Sequence, residues 1–290
     1  NQLKDQGYEI DSVQNKGYHI TKAPDVMTEE ELQSCRKTKW AGQEIVYFDQ
    51  LDSTNIKAKE LAEQGYPSGT LVVADKQVAG RGRRGRNWDS PSGTGIFMTL
   101  MLKPEINPNN ASMLTLVAAL AVAEAIKDVT GLDARIKWPN DIVINGKKIC
   151  GILTEMSAQF DYINHIVIGI GINVHNEAFP EEISAVAGSI LLESGGRRFR
   201  RAEIIEKTLE HFEEYYEIYL QTEDLSALTA DYNAMLVNMN KQVKVLDPKD
   251  EFEGKAMGIT AKGELIVDTW ESRKLVSSGE VSVRGIYGYV

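Results

Sequence analysis

Apolar residues recur along this chain with two periods, close to two in some stretches and close to 3.6 in others, and the switches between them divide it into elements. The first twenty residues read as the end of a helix followed by two short alternating strands around Asn15-Lys16-Gly17, a hairpin signal. Residues 24–39 are charged and read as a linker with a helical turn or two at EEELQSC, ahead of an apolar strand at 45–48. Ser53 then stands as an N-cap before a helical pattern with Ile56, Leu61 and Ala62 on one side and Gly65 at its end. Two β-branched or apolar runs, 70–75 and 96–103, predict strands on either side of a glycine- and arginine-rich loop at 77–95. Residues 112–129 carry the longest helical pattern, apolar nearly all round, which predicts a helix lying against a sheet and ending at Gly131.

Further strands are predicted at 134–138, 142–144 and 149–157, punctuated by Pro139-Asn140-Asp141 and by Asn145-Gly146, a strong two-residue hairpin turn. Another, at 163–174, returns from a turn near Asp161, so the sheet here is largely antiparallel. Residues 203–220 and 225–236 read as amphipathic helices. After Asn240 the pattern changes to short strands with glycine turns (QVKVLD, FEGKAMGI, GELIVDT, RKLVSSGEVSVRG), which marks a small C-terminal β-domain.

Composition changes this picture in one respect. Lys plus Arg number 32 against 42 Asp plus Glu, a net charge of −10, so the molecule as a whole is not built to coat nucleic acid or anionic lipid and any basic site must be local. Cys35 and Cys150 stand far apart without CxxC or Cys/His spacing, which argues against a disulfide scaffold and a structural zinc; both are expected to be reduced and buried. The longest apolar run, 113–123, is too short to span a bilayer and the N-terminus has no signal-peptide layout, so a cytoplasmic protein with no membrane partner is expected. His19, His165, His175 and His211 are scattered, with no evident partners, and default to surface or structural roles.

The most specific segment is Gly80-Arg81-Gly82-Arg83-Arg84-Gly85-Arg86, four arginines and three glycines in seven residues of a predicted loop. Glycines let the backbone fold closely around a ligand, and guanidinium groups offer forked donors matched to phosphate and carboxylate oxygens, so an anionic ligand is expected. The residues formally satisfy G-x-G-x-x-G, yet Asn87-Trp88-Asp89-Ser90-Pro91 follows where a dinucleotide-binding turn would lead into a helix. No G-x-x-x-x-G-K-[ST] occurs, so an ATP site would be of a non-Walker kind. Taken alone, the arginines could equally form a solvated loop or a patch for nucleic-acid phosphates. Lys137-Trp138-Pro139-Asn140-Asp141 places a cation, an aromatic and two short polar side chains at a strand end, although the last three residues alone are ordinary turn formers. Lys148 precedes Gly151 in the strand Ile149-Cys150-Gly151-Ile152, where glycine suits close approach of a ligand or another backbone. Gly169-Ile170-Gly171-Ile172-Asn173 ends a strand with two glycines, which a simple bulge would also explain, and an amide able to pair with a base edge.

Together, Ser53-Thr54-Asn55, Gln77 with GRGRRGR, KWPND, KKICGIL and GIGIN stand in the order and spacing of biotin protein ligases, which the chain resembles from about residue 45 to its end, closing GEVSVRG included. The hairpin at 7–20 also resembles the wing of the winged helix-turn-helix in bacterial ligases that double as biotin-operon repressors. The resemblance implies an α+β fold: a mixed, largely antiparallel sheet with helices packed on it, class II synthetase-like, plus a small C-terminal SH3-like β-barrel and a remnant wing. The corresponding divisions are 1–22 for the wing, 23–44 for a linker, 45–238 for the catalytic domain and 239–290 for the C-terminal domain. The recognition helix of such repressors would precede Asn1, so repression and operator DNA are expected only of a longer form.

The implied reaction is ATP-dependent activation of biotin to biotinyl-5′-AMP, with Mg²⁺, and transfer of biotin to a lysine of a biotin carboxyl carrier protein. The implied biotin-binding residues are Ser53, Thr54, Asn55, Gln77, Gly80, Arg81, Gly82, Arg83, Lys148 and Gly151. Those for ATP and the adenylate are Arg81, Arg83, Arg84, Arg86, Trp88, Lys137, Asn140, Asp141 and Asn173, with Arg83 and Lys148 as the catalytic cations. No protein metal ligand is singled out. The loops at 77–95 and 195–201 are expected to be mobile until an anion arrives, because their arginines read as unneutralised, and a homodimer promoted by the adenylate is expected. Two alternatives remain, a lipoate or octanoate ligase and a biotin-sensing DNA-binding regulator without ligase activity.

Overall fold

A computed structural model of the chain describes residues 7–13, 17–246, 250–279, 281–286 and 288–290. The helix end expected before Gly7 and the turn at Asn15-Lys16 lie outside them. The expected hairpin is present as β1 (Glu9–Val13) antiparallel to β2 (Gly17–Lys22). In the charged stretch that follows, Thr28 caps α1 (Glu29–Cys35), its hydroxyl accepting from the Glu31 N–H, and three glutamates occupy the first turn, where the helix dipole favours them. Met27 and Leu32 of this stretch are buried in the main core.

Seven strands make the large sheet: β3 (Ile45–Leu51), β4 (Thr70–Gln77), β5 (Gly95–Leu102), β6 (Arg135–Lys137), β7 (Asp141–Ile144), β8 (Lys147–Ala158) and β9 (Ile163–Asn173), in the order β3-β4-β5-β9-β8-β7-β6. Only β3 and β4 run parallel, joined by the crossover helix α2 (Thr54–Glu63); every other neighbouring pair is antiparallel. The strand period of two sends Leu71, Val73, Met98 and Leu100 to one face and Val72, Met101 and Val167 to the other. The first face packs under α3 (Leu114–Thr130) and α6 (Arg201–Thr222), the second under α2 through Ala58, Leu61 and Ala62. Because both faces are covered, all of β5 is buried, and its sequence reads as an unbroken apolar run interrupted only by Thr99. Gly131, at φ 73°, closes α3 by donating to the Lys127 carbonyl.

Two short helices, α4 (Glu181–Ser184) and α5 (Ile190–Glu193), connect β9 to α6, and α7 (Thr229–Met235) follows it, shorter than the amphipathic pattern at 225–236. The C-terminal strands β10 (Gln242–Leu246), β11 (Phe252–Ile259), β12 (Leu265–Asp268), β13 (Arg273–Val276) and β14 (Ser282–Gly285) form a second, antiparallel sheet in the order β13-β12-β11-β10-β14. Trp138, almost wholly buried, holds the two sheets together: its indole N–H donates to the Gly263 carbonyl at 3.0 Å. Asn233 adds a second tie by accepting from the Ile259 N–H at 2.9 Å.

Two expectations are corrected here. Cys150 is buried but Cys35, the last residue of α1, is only partly buried, beside the Glu31 carboxylate. His175 and His211 do have partners, Asp25 at 3.3 Å and Asp128 at 2.8 Å, contributed by distant parts of the chain.

Between α1 and β3 the chain turns with its N–H groups aimed at one buried side chain, Glu213 of α6. Its carboxylate accepts from Lys39 N at 2.9 Å, Trp40 N at 2.9 Å and Ala41 N at 3.0 Å. Glu213→Ala strands all three donors and is expected to cost about 3 kcal/mol, with Glu213→Gln costing less because it retains an acceptor. Urea unfolding midpoints measure this; a loss under about 1 kcal/mol for the alanine variant would show that water replaces the carboxylate freely.

Candidate active site

At the end of the large sheet where β4, β8 and β9 meet the C-terminal strands, a cavity of about 420 Å³ opens. Ser53, Thr54, Asn55 and Gln77 line one part of it, and Arg83, Lys137, Asp141, Lys148 and Tyr289 another. Its two parts differ in chemistry.

The first part is neutral and polar. Gln77, the last residue of β4, accepts through Oε1 from the Thr54 N–H at 2.9 Å and from the Thr54 hydroxyl at 3.1 Å, and donates through Nε2 to Ser90 Oγ at 3.0 Å. Ser53 precedes α2 without making a capping bond through its hydroxyl. Asn55 has its amide engaged, Nδ2 donating to the Leu153 carbonyl at 3.2 Å and to Glu155 at 2.7 Å.

The loop at 77–95 crosses over this floor. Gly80 does not line the cavity; a Cβ there would come within 2.4 Å of the Trp88 carbonyl oxygen, so glycine lets the two arms of the loop cross. Gly82 N donates to the Arg86 carbonyl at 2.7 Å, and Arg84 takes a left-handed conformation at φ 58° in the turn between them. The Trp88 indole lies directly on the sheet: a Cβ would meet it at 2.6 Å on Gly171 and at 3.1 Å on Gly151. Gly171 of GIGIN and Gly151 of KKICGIL thus make room for an aromatic ring, whereas Gly169 makes room for the Asn55 amide. Trp88 Nε1 is buried without a hydrogen-bond partner among the described residues, and Lys148 Nζ stands 5.4 Å from the ring centroid.

The second part gathers charge. Lys148 Nζ pairs with Asp141 Oδ1 at 2.6 Å, and the Tyr289 hydroxyl donates to Asp141 Oδ2. Burial would raise the Asp141 carboxyl, but Lys148 and Lys137 outweigh it and hold the group below the usual carboxylate range. Lys137, buried with its Nζ 4.0 Å from the Tyr289 ring, is pushed down to about 8, first by burial and then by the cations Lys148, Arg284 and Arg83, which Asp141 only partly offsets. Arg83 donates to Asn140 Oδ1 at 2.7 Å, to the Ser278 carbonyl at 2.9 Å and to the Gly279 carbonyl. Asn140 is held in turn by donating to the Ile152 carbonyl at 3.0 Å. Arg81, Arg84 and Arg86 stand exposed along the rim, with Gly82 between them. Asn173 lines the cavity and donates to the Gly188 carbonyl at 3.0 Å.

Beside the cavity one buried guanidinium ties its edges together. Arg201 pairs with Asp75 and Asp25, each at 2.8 Å, and donates to the Gly95 carbonyl at 3.0 Å. Asp75 also accepts from Ser92 Oγ and from the Gly93 N–H, at the return of the arginine loop. The expectation of unneutralised arginines at 195–201 is therefore corrected: Arg198, Arg200 and Arg201 pair with Glu177, Glu31 and Asp25, partners that folding brings from elsewhere in the chain.

Sequence reasoning missed Tyr289 and the stretch 281–284, which close the cavity from the C-terminal sheet, and the segment 176–179 after β9. Tyr289 lies 148 residues from the carboxylate it touches, a distance no local pattern encodes. Among the described residues no group of three or more His, Cys, Asp or Glu could hold a metal ion, and no helix is long and apolar enough to cross a membrane.

The chain matches the model of the Biotin/lipoate A/B protein ligase family over residues 47–173 and that of the Biotin protein ligase C terminal domain over 239–284. It is 40% identical over 97% of its length to the Bifunctional ligase/repressor BirA of Bacillus subtilis, covering 87% of that protein. It is also 32% identical to the Biotin--[acetyl-CoA-carboxylase] ligase of Paracoccus denitrificans, over 81% of this chain and 98% of that one. A solved structure, the biotin protein ligase from Aquifex aeolicus in complex with biotin and ATP, is similar with a TM-score of 0.74 and 31% identity, over 84% of this chain and 99% of the other. With both family regions in order, and a cavity where the five sequence motifs converge, this chain belongs to the biotin protein ligases.

Proposed function

We infer that the chain activates biotin with ATP to biotinyl-5′-AMP and passes the biotinyl group to a lysine of a biotin carboxyl carrier protein. The observation that carries this reading is the division of one cavity into a neutral hydrogen-bonding part, built from Ser53, Thr54 and Gln77, and a cationic part, built from Arg83, Lys137 and Lys148. Biotin has the same division: an uncharged urea ring at one end and a carboxylate at the other. A ring that is polar but neutral is costly to bury unless hydroxyl and amide groups meet it, which the first part supplies.

In the first half-reaction a biotin carboxylate oxygen bonds to the α-phosphorus of ATP and the bond to pyrophosphate breaks. Two anions must approach, so fixed cations lower the barrier as charge develops on the leaving group. Lys148, aimed by Asp141, and Arg83, aimed by Asn140, are assigned that role. Lys137 is assigned to the phosphate of the adenylate, Trp88 to packing over it and Asn173 to the adenine edge, with Arg81, Arg84 and Arg86 attracting phosphates at the rim. Mg²⁺ supplies further neutralisation when it is bound. With no ready cluster of ligands among the described residues, this chain's residues suit a Mg²⁺ that arrives on the nucleotide phosphates. In the second half-reaction the carrier's lysine amine bonds to the acyl carbon of the mixed anhydride and AMP leaves, a route that needs no nucleophile on the enzyme.

The match over 239–284 to a C-terminal domain model specific to biotin ligases, with the arginine loop, favours biotin over lipoate or octanoate. Operator DNA is proposed only for a form carrying a recognition helix ahead of the β1–β2 hairpin; the named repressor activity of the Bacillus relative supports it. Cytoplasmic localisation fits the same reaction. For a homodimer, β3 is the open edge of the large sheet, whereas β6 at the other edge is capped by the bridge from Ile136 to Leu236.

Pyrophosphate release from ATP on adding biotin, with the adenylate detected by mass spectrometry, tests the central reading; lipoate-dependent release alone would overturn it. Lys148→Ala and Arg83→Ala are each expected to slow that release by about 10²-fold or more. Near-normal rates in both would remove their assignment. Because Lys137 sits at about 8, its cationic form is present below that pH and lost above it. Binding of the anionic adenylate should therefore weaken as pH rises through about 8, and binding above it should take up a proton; Lys137→Arg is expected to flatten this limb. Calorimetry in buffers of different ionisation enthalpy reads the proton uptake, and a pH-independent affinity would dismiss Lys137 as a phosphate partner. The adenylate-bound protein is also expected to sediment as a tighter dimer, and equal dimer dissociation constants with and without adenylate would sink that coupling.

A further inference from the structure

Beneath the neutral part of the cavity the hydrogen bonds form one chain whose direction can be followed proton by proton. It begins at Glu155, whose Oε2 accepts from Asn55 Nδ2 at 2.7 Å and whose Oε1 pairs with Lys59 Nζ at 2.6 Å. Burial would raise the Glu155 carboxyl, but the hydrogen bonds from Lys59 and Asn55 and the charges of Lys59 and Arg81 hold it below its usual range. At neutral pH it can only accept. A second pure acceptor, the Leu153 carbonyl, lies 3.2 Å from the same Asn55 nitrogen. The amide NH₂ of Asn55 must therefore face these two oxygens, which turns its carbonyl Oδ1 toward Thr99.

Thr99 is the single polar side chain in the buried strand β5, and its hydroxyl oxygen lies 2.7 Å from Asn55 Oδ1 and 2.8 Å from Thr54 Oγ1. One hydroxyl proton cannot serve both neighbours. Oδ1 has no proton to give, whereas Thr54 has one, so the Thr99 proton goes to Asn55 and toward Thr54 the Thr99 oxygen can only accept. Gln77 Oε1, fixed by the Thr54 N–H and by the bond from Nε2 to Ser90, is a second inward acceptor 3.1 Å from the Thr54 hydroxyl. Thr54 has one proton for these two inward acceptors, and whichever of them takes it, Thr54 has an oxygen lone pair and no proton to offer the cavity that it lines.

We propose that Thr99 and Glu155, acting through Asn55, are positioning residues that keep Thr54 a hydrogen-bond acceptor, and that this polarity selects a ring N–H of the cyclic urea. The proposal rests on the ligase reading above and deepens it: neither residue touches the reacting atoms, and their effect is on which ring is accepted. An alkyl chain or a dithiolane has no N–H to satisfy the acceptor, and a site left with an unmet buried acceptor rejects the wrong ligand more strongly than one short of a methylene.

The test is calorimetric, with biotin and the two cyclic carbamates in which one or the other ring N–H is replaced by oxygen. The wild-type chain is expected to prefer biotin over one of the two carbamates by about 10-fold or more, because two acceptors then face each other. In Thr99→Val, whose shape suits the strand, one of the two inward acceptors is gone, only Gln77 Oε1 holds the Thr54 proton inward, and the proton turns outward more readily. The ratio should shrink by about 3- to 10-fold, and Thr99→Ser should restore it. Glu155→Met, which leaves Leu153 to orient the amide alone, should give an intermediate ratio. An unchanged ratio in Thr99→Val would overturn the Thr99 assignment, an unchanged ratio in Glu155→Met that of Glu155, and equal binding of biotin and both carbamates by wild type the whole proposal. Failure of folded wild type to bind biotin at all would instead overturn the ligase reading. Should Thr99→Val not fold, Thr99→Ala compared with Thr99→Ser carries the same comparison.

Discussion

A site that must draw two anions together needs several cations within a few ångströms of one another before either anion is present, and like charges so placed repel strongly in a partly desolvated pocket. Asp141 resolves this. Its carboxylate is buried between Lys148 and Lys137, held ionised by both, and clasped by the Tyr289 hydroxyl from the C-terminal sheet. The pair with Lys148 contributes little to stability by itself, since desolvation offsets most of the attraction, but it fixes where the ammonium points. Lys137, with only a share of the same carboxylate, remains less basic than an ordinary lysine. Removing the carboxylate would leave the cations repelling one another and Tyr289 without its acceptor.

A second ionic junction does for the frame what Asp141 does for the site. Arg201 binds Asp25, just after the N-terminal hairpin, and Asp75, at the edge of the arginine loop, while His175 beyond β9 reaches the same Asp25. Both carboxylates are held below their usual range: burial opposes this, but hydrogen bonds from His175, Ser92 and Arg201 prevail. Asp25, Asp75 and the Gly95 carbonyl therefore meet on one guanidinium, whose planar fork presents more donors than an ammonium and in a fixed geometry.

Much of this could be read from the chain. The largely antiparallel sheet followed from the turn Asn145-Gly146 and the strand spacing around it, and α3 from an apolar pattern closed by Gly131. The cavity lining was legible where motifs announce themselves by glycine and arginine density, or by hydroxyl and amide groups ahead of a helix. What stayed hidden has a common cause. The partners of His175 and His211, Tyr289 at the roof and the carboxylates that neutralise Arg198, Arg200 and Arg201 are all long-range contacts, which no window of sequence contains. Gly80 and Gly171 show a subtler limit: a glycine in a motif suggests space for a ligand, whereas here the space is taken by the loop's own backbone and by the Trp88 ring.

The grip of Arg83 on the C-terminal segment uses main-chain oxygens, those of Ser278 and Gly279, rather than side chains. Every residue type presents the same carbonyl, so such a latch is blind to the identity of the residues that it holds and sensitive only to the path that their backbone takes. The stretch at Ser278 and Gly279 can accordingly change in sequence without losing its fastening, unlike Tyr289, whose bond to Asp141 needs its own hydroxyl. A change that redirects the backbone, such as a proline inserted into that segment, would release it while leaving every arginine of the loop intact.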